Sequence, residues 1–366
     1  LQPGEKLSLN VDFVFTNLVQ PKPKAVKQAE DQYWEWSDEA LVKSIYPTRK
    51  QKTVVKAPGE VRRFSKVSVG GGAKKDGSTV TFGPFLASDS EKEDDLAALK
   101  GQKVEVNFMD NGEQLEALTH RREYFVSHWA DDLNVLEHYA LRNRGPEIDG
   151  PFDKVKQTIS KFMRTRDNFI KTLLVKVPVN AREMYFVDEI GNVSTSAVTG
   201  RRRQKGEEAF KILQLKPRYP LPGGWNYTWW HGYSVPLSEH LKIDSAKGAG
   251  RYLLKVPFIG SIAACASQDY ELRITLPEGA KDIDVKIPFG VDGIEKQPLK
   301  YYLDSTGRTT VVVRQRNVAP DMHKDILVAY SYSAISFWQK PAVIAAAFFA
   351  LFALASAASR MQFGLE

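Results

Sequence analysis

The sequence predicts a mainly β protein: two tandem antiparallel β-sandwich-like domains followed by one C-terminal transmembrane helix. Three observations predict it. Apolar and polar residues alternate strictly in many short runs, turn tripeptides separate those runs, and residues 341–359 carry no charge. Period-two alternation puts successive side chains on opposite faces of a strand, so each run reads as half buried. Short strands punctuated by Gly, Asn and Asp turns are the pattern of antiparallel sandwiches.

Along the chain, Leu7, Leu9, Val11, Phe13 and Phe15 face one way and Ser8, Asn10, Asp12 and Val14 the other, which predicts a first strand. Val80 with Phe82, and Val104 with Val106 and Phe108, continue the pattern in a first domain set at residues 1–126. Arg122 to Val126 is its last strand. The segment His128-Trp129-Ala130-Asp131-Asp132 interrupts, and Leu133 to Tyr139 opens a second domain set at residues 127–334. Within it, Leu272, Ile274 and Leu276, then Ile283, Val285 and Ile287, then Ile326, Val328, Tyr330 and Tyr332 repeat the alternation. No long helical stripe precedes the span.

Asp110-Asn111-Gly112, Pro277-Glu278-Gly279 and Ser305-Thr306-Gly307 reverse the chain, since Gly and Asn accept positive φ. Pro257 and Pro288, near strand ends, block edge-to-edge pairing. Residues 70–78, 87–95 and 199–208, rich in Gly, Ser and charge without period, read as exposed loops. Phe82-Gly83-Pro84-Phe85 and Gly150-Pro151-Phe152 hint at an internal repeat.

The run PAVIAAAFFALFALASAAS, Pro341 to Ser359, is 19 residues long. At 1.5 Å per residue it nearly crosses a hydrocarbon core about 30 Å thick. The helix is placed at residues 338–360, flanked by Trp338 and Lys340 before it and Arg360 after it, with 361–366 beginning a cytosolic region. Its alanines, among them Ala345, Ala346, Ala347 and Ala350, allow close helix approach and predict a contact within the membrane. One lysine and one arginine do not orient the span. Two sequons do: Asn192-Val193-Ser194 and Asn226-Tyr227-Thr228 are glycosylation acceptors upstream of it, which puts the preceding chain in the lumen. With no initiator Met and no signal-peptide pattern, the sequence reads as beginning inside a longer protein.

With 43% hydrophobic and 26% charged residues among 366, the chain has globular composition and length enough for two cores. The net charge of +7 is spread over dispersed Lys and Arg. Without a zinc, RRM or helix-turn-helix pattern it argues against nucleic-acid binding and for a basic surface facing anionic lipid. The single cysteine, Cys265, excludes a disulfide within the chain, and its neighbours Ala263, Ala264 and Ala266 predict that it is buried.

Motifs for chemistry are missing. Gly70-Gly71-Gly72 followed by Lys74 and Lys75 lacks the phosphate-loop order. The histidines, at 120, 128, 138, 231, 240 and 323, form no H-x-x-x-H or H-E-x-x-H pair, so no metal is expected. Asp188-Glu189, Asp131-Asp132 and Asp94-Asp95 are strand or turn neighbours that face opposite ways rather than acid–base dyads. No G-x-S-x-G elbow is present, and Cys265 has no nearby His to activate it. The sequence therefore predicts no catalytic residue, no cofactor site and no metal site. The aromatic run from Trp225 to Tyr233 reads first as packing or an interface, and second as a sugar or peptide platform. Arg201-Arg202-Arg203 reads as a loop charge cluster, with anionic lipid or RNA contact as the lesser reading.

The block Asp188-Glu189-Ile190-Gly191-Asn192-Val193-Ser194-Thr195-Ser196, followed by Pro217-Arg218-Tyr219-Pro220-Leu221 and Gly223-Gly224-Trp225, resembles ribophorin I. Tyr46-Pro47-Thr48, Gly83-Pro84-Phe85 and Ser127-His128-Trp129 upstream are similar too. So are Leu276-Pro277-Glu278-Gly279-Ala280-Lys281, Tyr302-Leu303-Asp304 with Gly307-Arg308, and Asp325-Ile326-Leu327-Val328 before Tyr330. The resemblance covers nearly the whole chain. It implies two lumenal β-rich domains and a type I span in the endoplasmic reticulum membrane. It also implies the role of a scaffold in the oligosaccharyltransferase complex, which moves a glycan from dolichyl diphosphate to sequon asparagines.

The partners it implies are the multi-spanning catalytic subunit, the other subunits, nascent polypeptides and the bilayer, with the translocon and ribosome as further candidates. Catalysis in that complex belongs to the other subunit, so no catalytic residue carries over. Asn192 is the first expected glycan site and Asn226 the second. The chain departs from the family in its start, in its end, and in the loops 70–78 and 200–208. An adhesion or cargo receptor with a tethered ectodomain is the alternative that periodicity leaves open, and an enzyme depending on Trp225 or Trp229 is a third.

Overall fold

The structure, a computed structural model, describes residues 6–41, 48–67, 72–86, 103–162, 169–202, 209–244, 250–260, 262, 265–301 and 304–360. The expected loop at 87–95 and the tail 361–366 lie outside them, as do Ala263, Ala264 and residues 203–208. The described chain is mainly antiparallel sheets, with one short parallel pair of Ala25–Val26 and Glu147–Ile148, followed by one long apolar helix, as the alternation and the uncharged run predict.

It gathers into two compact units that interleave in sequence. The first comprises residues 1–116, 142–171 and 219–226, and the second 117–141, 172–218 and 227–366. The strands expected to either side of a boundary at Ser127 are two arms of one hairpin, Leu115–Ser127 and Asp132–Asn143, adjacent in the same sheet. Asp131 takes φ +52° at its tip, a left-handed value that Asp tolerates in turns.

In the first unit a four-stranded sheet runs Val19–Pro21, Tyr33–Glu39, Lys103–Met109, Val61–Phe64, and a three-stranded one runs Lys50–Lys56, Thr79–Leu86, Ala73–Asp76. Trp34 lies opposite Phe108 and Trp36 opposite Val106. The inward residues of both sheets, among them Trp34, Val61, Val104 and Val106 from one and Val80, Phe82 and Phe85 from the other, form a single core. Each such side chain contributes roughly 1.5–3 kcal/mol when fully buried.

Two local expectations change here. The segment read as a loop at 70–78 contains the strand Ala73–Asp76, which pairs back onto Thr79–Leu86 around Gly77 at φ +58°. Its sequence, Ala-Lys-Lys-Asp, has no apolar alternation to reveal it. Conversely, residues 6–15 form no strand, and Leu7, Leu9, Val11, Phe13 and Phe15 stand 61–75% exposed. Alternation defines which face a strand would bury, but a strand also needs a neighbour for its amides and carbonyls. Among the described residues this segment has none.

The second unit is built on an eight-stranded sheet. Its order is Gly191–Asn192, Arg182–Asp188, Asn226–Pro236, Asp132–Asn143, Leu115–Ser127, Ala266–Thr275, Arg308–Val318, Gly293–Leu299. One face carries the buried Tyr124, Val126, Val135, Tyr139, Trp229, Tyr233, Leu272, Ile274, Val311 and Val313. A four-stranded sheet, Leu241–Ile243, Arg251–Pro257, Asp325–Ser331, Lys281–Lys286, completes the core with Leu254, Val256, Ile326 and Val328, all 0% exposed. The two sheets are tied by the Tyr124 hydroxyl, which donates to the Pro257 carbonyl at 2.9 Å. A third sheet of Leu173–Pro178, Phe210–Leu215 and Ser196–Arg202 joins through a bridge from Val175 to Ile262.

Two α-helices are described. Lys154–Phe162 belongs to the first unit, and Asp153 caps it by accepting the amides of Val155 and Lys156 at 2.8 and 3.1 Å. Ala334–Arg360 ends the second; it is 27 residues long, with mean hydropathy 2.2 and none of its apolar window buried. By length and composition it can cross a membrane.

Candidate functional site

The strand Asn226–Pro236 decides the aromatic run. Its inward positions are Tyr227, Trp229, His231, Tyr233 and Val235, all buried, whereas Trp225 at its start is 45% exposed. Trp229 stacks on Tyr139 at 4.9 Å and 9°. Most of the run is thus core, the first of the two readings, because period two sends every second ring inward.

On that face lies a group of polar side chains that no motif marks. Glu137 is 0% exposed. The Arg122 guanidinium lies 3.3 Å from one of its oxygens. The Tyr139 hydroxyl donates to the other at 2.7 Å, and His120 Nε2 is 3.5 Å from it. Arg122 also donates to the Ile259 carbonyl at 2.5 Å and sits over the Tyr124 ring. Burial disfavours both charges, yet each holds the other: Glu137 stays well below the ordinary carboxylate range, Arg122 well above its own. Gly260 closes the group, since a Cβ there would meet the Tyr139 hydroxyl at 2.5 Å and Glu137 Oε2 at 2.6 Å.

His231 sits behind Glu137 and accepts the Trp229 indole N–H on Nδ1 at 3.2 Å, which assigns its proton to Nε2. Nε2 has no hydrogen-bond partner among the described residues. Burial, only partly opposed by Glu137, lowers its pKa to about 4. Lowered below its unfolded value of about 6.5, this base contributes stability that is complete above pH 6.5 and lost as pH falls towards 4. The difference is about 3 kcal/mol, so the unfolding midpoint should already drop across that window, above the range where the depressed carboxylates lose their own contribution. A midpoint flat from pH 7 to 4 would contradict a neutral buried His231. Burial lowers His120 too, in the same direction.

The sequence blocks that carry the family resemblance meet in space. Asp188 is 3% exposed and accepts Arg218 Nε at 2.5 Å, the Tyr227 hydroxyl at 3.2 Å and the amides of Ile190 and Gly191. Burial alone would raise its pKa; Arg218 and those amides outweigh it and hold the carboxyl below its usual range. Glu189 next to it is exposed, so the two face opposite ways. Arg218 also donates to the carbonyls of Gly191 and Asn192; Asn192 is exposed on the short edge strand Gly191–Asn192 and Ser194 is exposed just after it. Asn226 and Thr228 are exposed as well. Cys265 is buried. Of the arginine triplet, the side chains lie outside the described residues.

The base of the long helix is tied to the second unit at several points. Ser333 caps it through the Ser336 amide at 3.2 Å. Pro341 has no N–H, so the Phe337 carbonyl one turn earlier loses its helical donor. The Trp129 indole, on the hairpin tip, fills that place at 3.0 Å and stacks on the Phe337 ring at 5.0 Å. Lys340 pairs with Asp304 and lies 3.7 Å from Glu278. Glu278 Oε1 accepts the amides and hydroxyls of Ser305 and Thr306 at 2.7–3.0 Å, while Arg308 pairs with Asp304 at 3.1 Å. Burial opposes ionisation of both carboxyls, but these donors outweigh it and lower both pKa values. Depressed carboxylates lose their contribution only as pH falls through the folded values, so the clamp stays charged at neutral pH.

Sequence reasoning placed Glu278 and Gly279 in a turn, Trp129 in the break between two strands and Asp304 in a family-like block, gave none of them a part in holding the helix, and missed the pairing of Arg122 with Glu137. Among the described residues no three His, Cys, Asp or Glu side chains gather as metal ligands. What the arrangement does is mechanical: it fixes the helix to a rigid β unit.

Comparison with known proteins follows from this geometry. The Ribophorin I family matches residues 1–359. A dolichyl-diphosphooligosaccharide–protein glycosyltransferase subunit 1 of Caenorhabditis elegans is 28% identical over 99% of this chain and 58% of its own length. Subunit 1B of Arabidopsis thaliana is 31% identical over 96% of this chain and 71% of its own, and subunit 1A 30% identical over 96% and 54%. The chain thus spans between about half and about seven tenths of the curated relatives it matches. Among solved structures, the native leukotriene A4 hydrolase of Saccharomyces cerevisiae overlaps 59% of this chain and 29% of that one at TM-score 0.34 and 10% identity, too loose a likeness to support a shared fold.

Proposed function

The chain belongs to the ribophorin I family, and from that premise we propose that it is a non-catalytic scaffold subunit of the oligosaccharyltransferase complex. That complex transfers a preassembled glycan from dolichyl diphosphate to Asn-x-Ser/Thr asparagines of nascent proteins. The observation that carries the reading is the family match, which runs through both compact units and almost to the end of the apolar helix. The buried charges suit it: Glu137 and Asp188 are committed to arginines inside the fold, which is structural work.

In this reading the β units face the lumen of the endoplasmic reticulum and the helix is a single type I span. The partners are the multi-spanning catalytic subunit, the other subunits and passing nascent chains, with the translocon and ribosome beyond them. Asn192 and Asn226, both exposed, are the chain's own glycan acceptors.

Purification of the tagged full-length protein from native membranes should recover the catalytic subunit, and depletion should lower sequon occupancy across many glycoproteins. Recovery without that subunit, or unchanged occupancy, would overturn the scaffold role. Asn192→Gln should remove one glycosidase-sensitive step in gel mobility. No step at either asparagine would argue against lumenal exposure of this surface.

A further inference from the structure

We propose that the second β unit is itself seated on the bilayer, with the hairpin tip at Trp129 and the first turns of the helix lying in the lipid headgroup layer. The proposal rests on reading Ala334–Arg360 as a membrane span. A helix of 27 residues is about 40 Å long, whereas a hydrocarbon core of about 30 Å takes some 20 of them. The uncharged stretch 341–359 fills that core, bounded by Lys340 and Arg360. Residues 334–340, about 10 Å of helix, then occupy the headgroup layer and its edge.

What the fold exposes at this level is apolar and aromatic. Ile335 is 84% exposed, Trp338 61% and Trp129 54%. Trp129 cannot leave that level without losing both its hydrogen bond to the Phe337 carbonyl and its stack on the Phe337 ring. Trp338 stands edge-on to it at 6.4 Å. Indoles favour the interface because a large apolar body and one N–H suit a layer that is half wet.

The charge pattern agrees. Lys340, the cation nearest the core, does not enter it bare, since Asp304 and Glu278 hold it against the β unit. Beside the helix base a groove of about 710 Å³, lined in part by His128, Tyr252, Lys281, Tyr332 and Phe337, leaves room for headgroups next to an ammonium. A helix held by a cap, an indole and an ion pair cannot swivel freely under the unit it carries. The contact therefore fixes the unit's tilt as well as its height.

Full-length protein reconstituted in nanodiscs of brominated phosphatidylcholine tests this by tryptophan quenching. Trp338→Phe and Trp129→Phe should each remove part of the lipid-quenched emission, while Trp230→Phe, on the central sheet, should not. As a second measurement, Ala130→Cys in a Cys265→Ala background, labelled with bimane, should emit further to the blue in nanodiscs than in detergent-free aqueous controls of the free dye adduct. If Trp338→Phe lowers quenching but Trp129→Phe does not, and the label at 130 emits as in water, the span stands and the seated unit is wrong. If neither substitution changes quenching, the spanning reading fails with it.

Discussion

Arg122→Met should lower the stability of the second unit by about 3–5 kcal/mol, the usual effect of leaving one member of a buried ion pair without its partner. Glu137 would keep the Tyr139 hydroxyl and a neutral histidine, and neither carries the charge that holds its carboxylate ionised. The signature is in the comparison. Replacing both partners, Arg122→Met with Glu137→Leu, should recover part of the loss, because no buried charge is then left unpaired, although the Tyr139 hydroxyl and the Ile259 carbonyl lose their partners. Denaturant unfolding of the full chain and the two variants reads the difference as midpoints. Equal midpoints for the single variant and the parent would show that the pair carries no net charge coupling.

Gly223→Ala should be about as damaging in the first unit, at about 3 kcal/mol or more. A Cβ at this position would stand 1.9 Å from the Pro146 carbonyl oxygen and 2.5 Å from that of Gly145, both backbone atoms that cannot rotate away. Asn143 holds the same loop by donating to the Leu221 carbonyl at 2.9 Å and accepting the Gly224 amide at 2.8 Å. Gly290→Ala is the control, since nothing lies within 4 Å of its added methyl. Thermal unfolding in which both variants match the parent would refute the close approach.

The strands were legible where they pair with neighbours and bury one face in a core: Val104, Val106 and Phe108, or Ile326, Val328 and Tyr330, show it plainly. Alternation at Leu7 to Phe15 misled because a pattern names a face without supplying a partner. The ion group was half legible. Arg122 shares the inward parity of Tyr124 and Val126, and Glu137 that of Val135 and Tyr139, so both were predictable as buried. That they meet is a matter of which strands lie side by side, which alternation within a single strand does not encode. The same holds for Trp129 and Pro341, each visible in sequence, one in the break between two strands and one at the start of an uncharged run.

The pairing of that indole with the Phe337 carbonyl, left without a donor by Pro341, changes where the second β unit ends. Residues 334–340 belong to the β unit as much as to the apolar helix, because Ser336 lies against Gly279, Gln339 donates to Ser305 and Lys340 balances two carboxylates. A fragment cut ahead of the helix at Ser333 would take Lys340 from Asp304 and Glu278 and the Phe337 carbonyl from the Trp129 indole. The natural cut for such a fragment falls after Lys340, where the contacts with the β unit stop and the uncharged run begins.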